Sequence, residues 1–206
     1  MNLGFYPLKK VLRDNSKWIL LAAIIFFIGF VFFFTAGNPA GEEAASEISR
    51  ELMESFEILA ELILGSDPFY ASLFVFINNF VSSFQMLVLG LFLGLSPLFT
   101  LLLNGSLLGA LGSQLTAENV PFTFFLAGLL PHGIPELAAF FICAAMGLKL
   151  GVHATISPLP GKNRLASIKF IWKEIISLLP LIVFLLIAAA FIEIYITKTI
   201  LESFFL

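Results

Sequence analysis

The sequence contains few charged residues, and this scarcity excludes most classes of soluble protein. Only 12% of the 206 residues are charged and 59% are hydrophobic, with a mean hydropathy of +1.01. Ordinary soluble domains carry about 25% charged residues. No cluster of Lys and Arg is interleaved with aromatic side chains, so nucleic acid is excluded as a partner. The apolar residues fall in runs close to bilayer length, which predicts a multi-pass membrane protein.

Cysteine and recognisable catalytic motifs are also scarce. Cys143 is the one cysteine, so an intrachain disulfide is excluded, and its apolar surroundings favour a core-filling role. The chain has neither the His-Glu-x-x-His zinc signature nor a Gly-x-Ser-x-Gly nucleophile elbow. The sequence therefore predicts a protein that is not an enzyme and that has no cofactor.

Five apolar segments are long enough to cross a bilayer as helices. We predict an all-α, polytopic membrane helix bundle that forms a single integral membrane domain over residues 1–206. The predicted spans cover residues 18–36, 71–93, 97–115, 121–148 and 174–196.

The placement of the basic residues predicts the orientation of the bundle. Residues 1–17 and the basic segment 149–173 hold nine of the eleven Lys and Arg residues. The positive-inside rule therefore predicts that the N-terminus and the 149–173 segment are cytoplasmic, in the cell membrane, and that the C-terminus is extracytoplasmic.

Residues 41–65 are predicted to form an amphipathic helix on the extracytoplasmic side. Apolar side chains recur there at spacings of three and four, and a row of glutamates lies opposite. The segment is interpreted either as a solvated helix packed on the bundle or as a docking surface for a basic partner.

Two Gly-xxx-Gly pairs allow helix backbones to approach closely. The first is Gly90 with Gly94, and the second is Gly105 with Gly109. Together with amide side chains inside the spans, which need partners in lipid, these pairs predict a homodimer.

Polar residues inside the spans form the candidate site. Asn78 and Asn79 lie in the second span, Asn104 in the third, and His132 and Glu136 in the fourth. The surrounding sequence, Pro131-His132-Gly133-Ile134-Pro135-Glu136, predicts a break in the fourth helix. Since all five polar side chains should lie at similar depth, we expect one polar cluster.

Three roles are open for this cluster. It can be a hydrogen-bonded knot that fixes helix register or a subunit interface, or a site for an ion, a proton or a small polar solute. An intramembrane enzyme is the least favoured of the three. No metal is predicted, although two protomers could bring two copies of His132 and Glu136 together as a metal site.

These motifs, taken in order, resemble those of the stage II sporulation protein M family. The resemblance covers about residues 70–151, and its matching blocks are Asn78-Asn79, Gly90 with Gly94, Asn104-Gly105 with Gly109, residues 130–136, and Ala144-Ala145 with Gly147. It implies a multi-pass protein with no established catalytic activity. In endospore-forming bacteria the namesake acts as a scaffold or anchor in a membrane complex with peptidoglycan-degrading enzymes. Relatives also occur in organisms that do not sporulate, including archaea.

The sequence thus predicts a non-enzymatic membrane scaffold or anchor. Besides the lipid bilayer, its partner is expected to be an unidentified protein, bound through the outer acidic helix or the cytoplasmic basic segment. The alternative is a conduit that binds an ion or small solute at the broken helix, residues 132–136.

Overall fold

The computed structural model describes residues 6–36, 67–197 and 199–200, and the regular structure in these ranges is helical. The amphipathic helix predicted at residues 41–65 lies outside the described residues. Short π-helical segments, Val152–Ile156 and Ile192–Thr197, continue the last two α-helices. The α-helices are α1 (Leu8–Asp14), α2 (Ser16–Ala36), α3 (Pro68–Leu89), α4 (Leu95–Ala117), α5 (Phe122–Gly151) and α6 (Arg164–Phe191).

Five helices of the described chain are long and apolar enough to cross a membrane, which confirms the all-α polytopic fold. The last of them begins at Arg164, ten residues before the predicted start. Asn163 explains this beginning, because its side chain accepts a 2.8 Å hydrogen bond from the Ala166 N–H and so caps the helix. The observed spans are Ser16–Ala36, Pro68–Leu89, Leu95–Ala117, Phe122–Ile156 and Arg164–Thr197.

The predicted break in the fourth membrane helix is wrong. Helix α5 runs unbroken through 30 residues and contains both Pro131 and Pro135. Each proline removes only one N–H donor, which would otherwise bond the carbonyl four residues earlier. In hydrocarbon every further unpaired backbone group is costly, so a continuous helix with two missing hydrogen bonds is favoured over an open loop.

Helix α5 is the central element of the bundle. Residues 142–151 are all buried, and α5 packs against α2, α3, α4 and α6. In the most apolar 18-residue stretch of this span 67% is buried, whereas in the corresponding stretches of the other four spans 17–33% is buried. The outer helices therefore present their apolar side chains to lipid, while α5 organises the core.

The glycine pairs lie where helix backbones touch inside one chain. A Cβ on Gly105 would overlap the Phe26 carbonyl oxygen of α2, and a Cβ on Gly90 would lie 2.6 Å from the Gly147 Cα of α5. We call these contacts the glycine seam. It comprises Gly29, Gly105 and Gly109 between α2 and α4, and Gly90, Gly94, Gly147 and Gly151 between the α3–α4 turn and α5.

The turn between α3 and α4 depends on one of these glycines. Gly94 has φ +71° and is followed directly by α4, a left-handed conformation that suits glycine. Because both Gly-xxx-Gly pairs are occupied inside the protomer, they no longer support the predicted homodimer.

Candidate functional site

The structure brings three ionisable side chains together near one end of α5 and α6. His132 and Glu136, one turn apart on α5, meet Glu193 of the second π segment. One ligand atom from each residue lies within 4.8 Å of the other two. We call this group the His–Glu–Glu cluster. All three side chains are half-buried.

Thr197 holds the histidine of this cluster in place. The Nδ1 of His132 is 3.1 Å from the Thr197 hydroxyl, and Thr197 is only 4% exposed. When Nδ1 carries the proton it donates to Thr197, and Nε2 is left with a free lone pair. In that tautomer the imidazole ring is oriented by a hydrogen bond on one side and has an acceptor nitrogen on the other.

Neither carboxylate of the cluster is neutralised by the part of the chain that the structure describes. No side chain or backbone group in the described ranges forms a hydrogen bond or an ion pair with Glu136 or Glu193. Two ionised carboxylates within 4.8 Å of each other repel by at least about 3.5 kcal/mol at an effective dielectric of about 20. The arrangement therefore calls for a proton or a cation.

The three asparagines of the predicted cluster are not members of the His–Glu–Glu cluster. Asn104 is exposed, and its amide donates a 2.8 Å hydrogen bond to the Thr100 carbonyl of its own helix. Asn78 is also exposed and Asn79 is half-buried on α3. Of the five predicted site residues, the His–Glu–Glu cluster unites His132 and Glu136.

Glu193 is a site residue that the sequence did not reveal. Its position near the end of the last span suggests a side chain that reaches to the interface. Its place in the site follows from the register of α5 against α6, which the structure shows through Lys149 beside Glu174. At 1.5 Å per residue, His132 is about 26 Å from Lys149, and Glu193 is about 28 Å from Glu174.

A second buried polar network occupies the other end of the same helix pair. Lys149 donates a 2.6 Å hydrogen bond to Glu174 and a 2.7 Å hydrogen bond to the Asn15 side-chain oxygen. Asn15 in turn donates to Glu174 at 3.0 Å and to the Val11 carbonyl at 2.8 Å. We call these three side chains the Lys–Glu–Asn network. It ties α5, α6 and the α1–α2 junction together.

The two polar groups lie at different depths along the α5–α6 pair. The His–Glu–Glu cluster and the Lys–Glu–Asn network are about 26–28 Å apart along α5 and α6 at 1.5 Å per residue. A bilayer hydrocarbon core is about 30 Å thick. The two groups are therefore separated by nearly the thickness of a hydrocarbon core, and the apolar residues 122–130 of α5 extend beyond the His–Glu–Glu cluster.

The end that carries the Lys–Glu–Asn network also carries a basic surface. Helix α1 packs against α6, where the Tyr6 N–H donates a 3.0 Å hydrogen bond to Ser177 and the Tyr6 and Phe170 rings are 5.8 Å apart. Two basic stretches far apart in sequence thus meet. The exposed members of this basic surface are Lys9, Lys10, Arg13, Lys17, Lys162, Arg164, Lys169 and Lys173.

Four apolar helices around one buried helix, with ionisable groups at two depths inside the bundle, define a multi-pass helical membrane protein. The model of the stage II sporulation protein M family matches residues 22–198, and the chain belongs to that family. The match extends well beyond the blocks at residues 70–151 that first showed the resemblance.

A relative occurs in an archaeon. An uncharacterized protein of Methanocaldococcus jannaschii is 30% identical over 182 residues, which cover 88% of this chain and 94% of the relative. No solved structure matches the chain.

Proposed function

We propose that this protein is a non-enzymatic anchor in a complex of the cell membrane. The glycine seam carries the proposal. Backbone contacts at Gly90, Gly105 and Gly147 join α2, α4, α5 and the α3–α4 turn with no side chains between them. Transporters that alternate between two states move one repeat or bundle against another. A bundle locked backbone to backbone is suited instead to holding a fixed shape against its partners.

The basic surface is the proposed partner contact. Its eight exposed Lys and Arg residues come from α1, the start of α2 and the region around the start of α6, and α1 is docked on α6 through Tyr6 and Ser177. The positive-inside rule predicts that this end is cytoplasmic. An acidic segment of a partner protein is the complementary surface, and its attraction to this end should weaken as salt rises.

Blue native electrophoresis of digitonin-solubilised membranes tests the anchor. The tagged chain is expected to migrate in an assembly much larger than its own 22.6 kDa. Replacing Lys162, Lys169 and Lys173 by Gln should release it from that assembly. Glu118→Gln, an exposed change at the opposite end of the bundle, is the matched control. Migration of the wild-type chain as a free protomer or as a homo-oligomer alone would contradict the proposal.

A homodimer remains part of the proposal, through the faces of α3 and α4 that carry Asn78 and Asn104. Both side chains are exposed in the protomer, and an amide in hydrocarbon gains from a partner on a second helix. Native mass spectrometry from detergent micelles tests this pairing. Replacing both asparagines by Leu should convert a dimer to a monomer, and a wild-type monomer would contradict it.

A conduit for an ion or small polar solute is the second candidate. The His–Glu–Glu cluster favours it, because ionisable groups inside a membrane span often mark ion or proton pathways. The two functions differ in one observable, since a conduit produces flux across a sealed bilayer and an anchor does not.

A further inference from the structure

We infer that the His–Glu–Glu cluster is a binding site for one divalent transition-metal ion per protomer, with Zn²⁺ as the probe that best matches it. The ligands are one imidazole nitrogen from His132 and carboxylate oxygens from Glu136 and Glu193. These atoms lie within 4.8 Å of one another, so one ion can contact all three after small side-chain movements. The site goes beyond the anchor role and does not depend on it.

The chemistry of the ligands selects the class of metal. Imidazole nitrogen suits zinc, iron, copper and nickel, whereas sites for Mg²⁺ and Ca²⁺ are built from oxygen alone. One nitrogen with two carboxylates is a three-ligand set that leaves a fourth position for water, as in open zinc sites. Zn²⁺ should therefore bind more tightly than Mn²⁺, and Mg²⁺ should not compete.

Thr197 supplies a separate observation that supports a metal ligand. Histidines that bind metals usually donate the other ring N–H to an oxygen, which fixes the tautomer. The buried Thr197 hydroxyl, 3.1 Å from Nδ1 of His132, is such an oxygen. In the tautomer that donates from Nδ1 to Thr197, Nε2 is unprotonated and can bind a metal, and the two carboxylates have no hydrogen bond or ion pair within the described residues.

The bound ion would link two distant parts of the chain. His132 and Glu136 belong to α5, and Glu193 belongs to the π segment that ends the last span. A metal ion that bridges them would neutralise the carboxylates and pin the end of α6 to α5. The expected consequence is greater thermal stability and slower hydrogen exchange in those two stretches alone.

Equilibrium dialysis of the tag-free, metal-stripped protein against Zn²⁺ tests the inference. The wild-type chain is expected to bind one Zn²⁺ per protomer, and Glu136→Gln, Glu193→Gln and His132→Asn should each weaken binding more than tenfold. Thr197→Val removes only the partner of the histidine and should weaken binding by about 10–100-fold. His153→Asn and Glu118→Gln are the matched controls and should bind as the wild type does. Equal binding by wild type and cluster variants overturns the site, as does no binding by the wild type.

Hydrogen–deuterium exchange of the wild-type protein locates the ion without any variant. Zn²⁺ should slow exchange around residues 129–137 and 189–197 and leave residues 145–156, around the control His153, unchanged. Protection centred on His153, or protection in neither stretch, overturns the proposal. This exchange measurement does not require a membrane complex. A failure of the metal site can therefore be distinguished from a failure of the anchor role.

Discussion

Lys149 of α5 donates a 2.6 Å hydrogen bond to Glu174 of α6, and the two side chains are only 7% and 4% exposed. Asn15 bonds both of them, so every charge of this pair is matched by a partner from another segment. The pair fixes the register of α5 against α6 at the end of the bundle that carries the basic surface. This register also determines the level at which Glu193 meets His132.

Replacing Lys149 by Met should destabilise the fold strongly. The change leaves the Glu174 carboxylate buried without its cation, and breaking a buried pair from one side costs about 3–5 kcal/mol. Unfolding by SDS in mixed micelles measures the loss. Lys169→Met, at an exposed position, is the control and should change stability by less than about 0.5 kcal/mol. The double variant Lys149→Met with Glu174→Leu should lose less than the single variant, and a single variant as stable as the control would disprove the role of the pair.

Asn15→Ala should also destabilise the fold, but by less. Asn15 is fully buried and accepts from Lys149 while it donates to Glu174 and to the Val11 carbonyl. Losing one side of such hydrogen bonds costs about 1–3 kcal/mol, because the partners remain buried. The same unfolding assay checks this prediction. Asn163→Ala, at an exposed helix cap, provides the comparison, with an expected cost of about 1 kcal/mol.

Gly105→Ala should separate α2 from α4 and lower the melting temperature. The new Cβ would overlap the Phe26 carbonyl oxygen, which belongs to backbone and has no rotamer to change. Overpacking of this kind costs roughly 1–3 kcal/mol. Gly133→Ala is the matched control within a helix, because its Cβ would meet only the end of the Leu129 side chain, at 3.3 Å. Equal melting temperatures for the two variants would show that the seam tolerates a side chain.

Pro135→Ala should stabilise the protein. Helix α5 continues through Pro135, so alanine restores an N–H donor for the Pro131 carbonyl and a better helix former. The expected gain is about 1–3 kcal/mol in the unfolding assay. A loss of stability would mean that the free carbonyl has another partner in the folded protein, which the continuous helix does not predict.

The sequence predicts the membrane bundle well because hydrophobic run length alone determines it. Five spans and the family could be recognised from apolar runs and a few motifs. The continuous helix through Pro131 and Pro135 could not be predicted in this way, because two prolines close together are typical of a loop unless the hydrocarbon environment is considered. In hydrocarbon the backbone has no water to replace its hydrogen bonds, so the helix persists.

The charged residues show where sequence reasoning ends. Lys149 lies in a basic stretch and Glu193 near the end of a span, so both resemble solvated flanking residues. Their surroundings depend on partners from the neighbouring helix: Glu174 of α6 beside Lys149, and His132 and Glu136 of α5 beside Glu193. Such pairings become visible only once the register of α5 against α6 is known.

The most direct measurement of the anchor role is ion flux into sealed proteoliposomes that carry the protein at a known density. Proton entry is followed with an internal pH dye and Zn²⁺ entry with an internal chelating dye, under a potential and without one. Glu136→Gln proteoliposomes of equal density serve as the paired sample. A rigid anchor predicts that wild-type vesicles leak no faster than empty ones. Flux through the wild type that disappears in Glu136→Gln would contradict the anchor and establish the conduit.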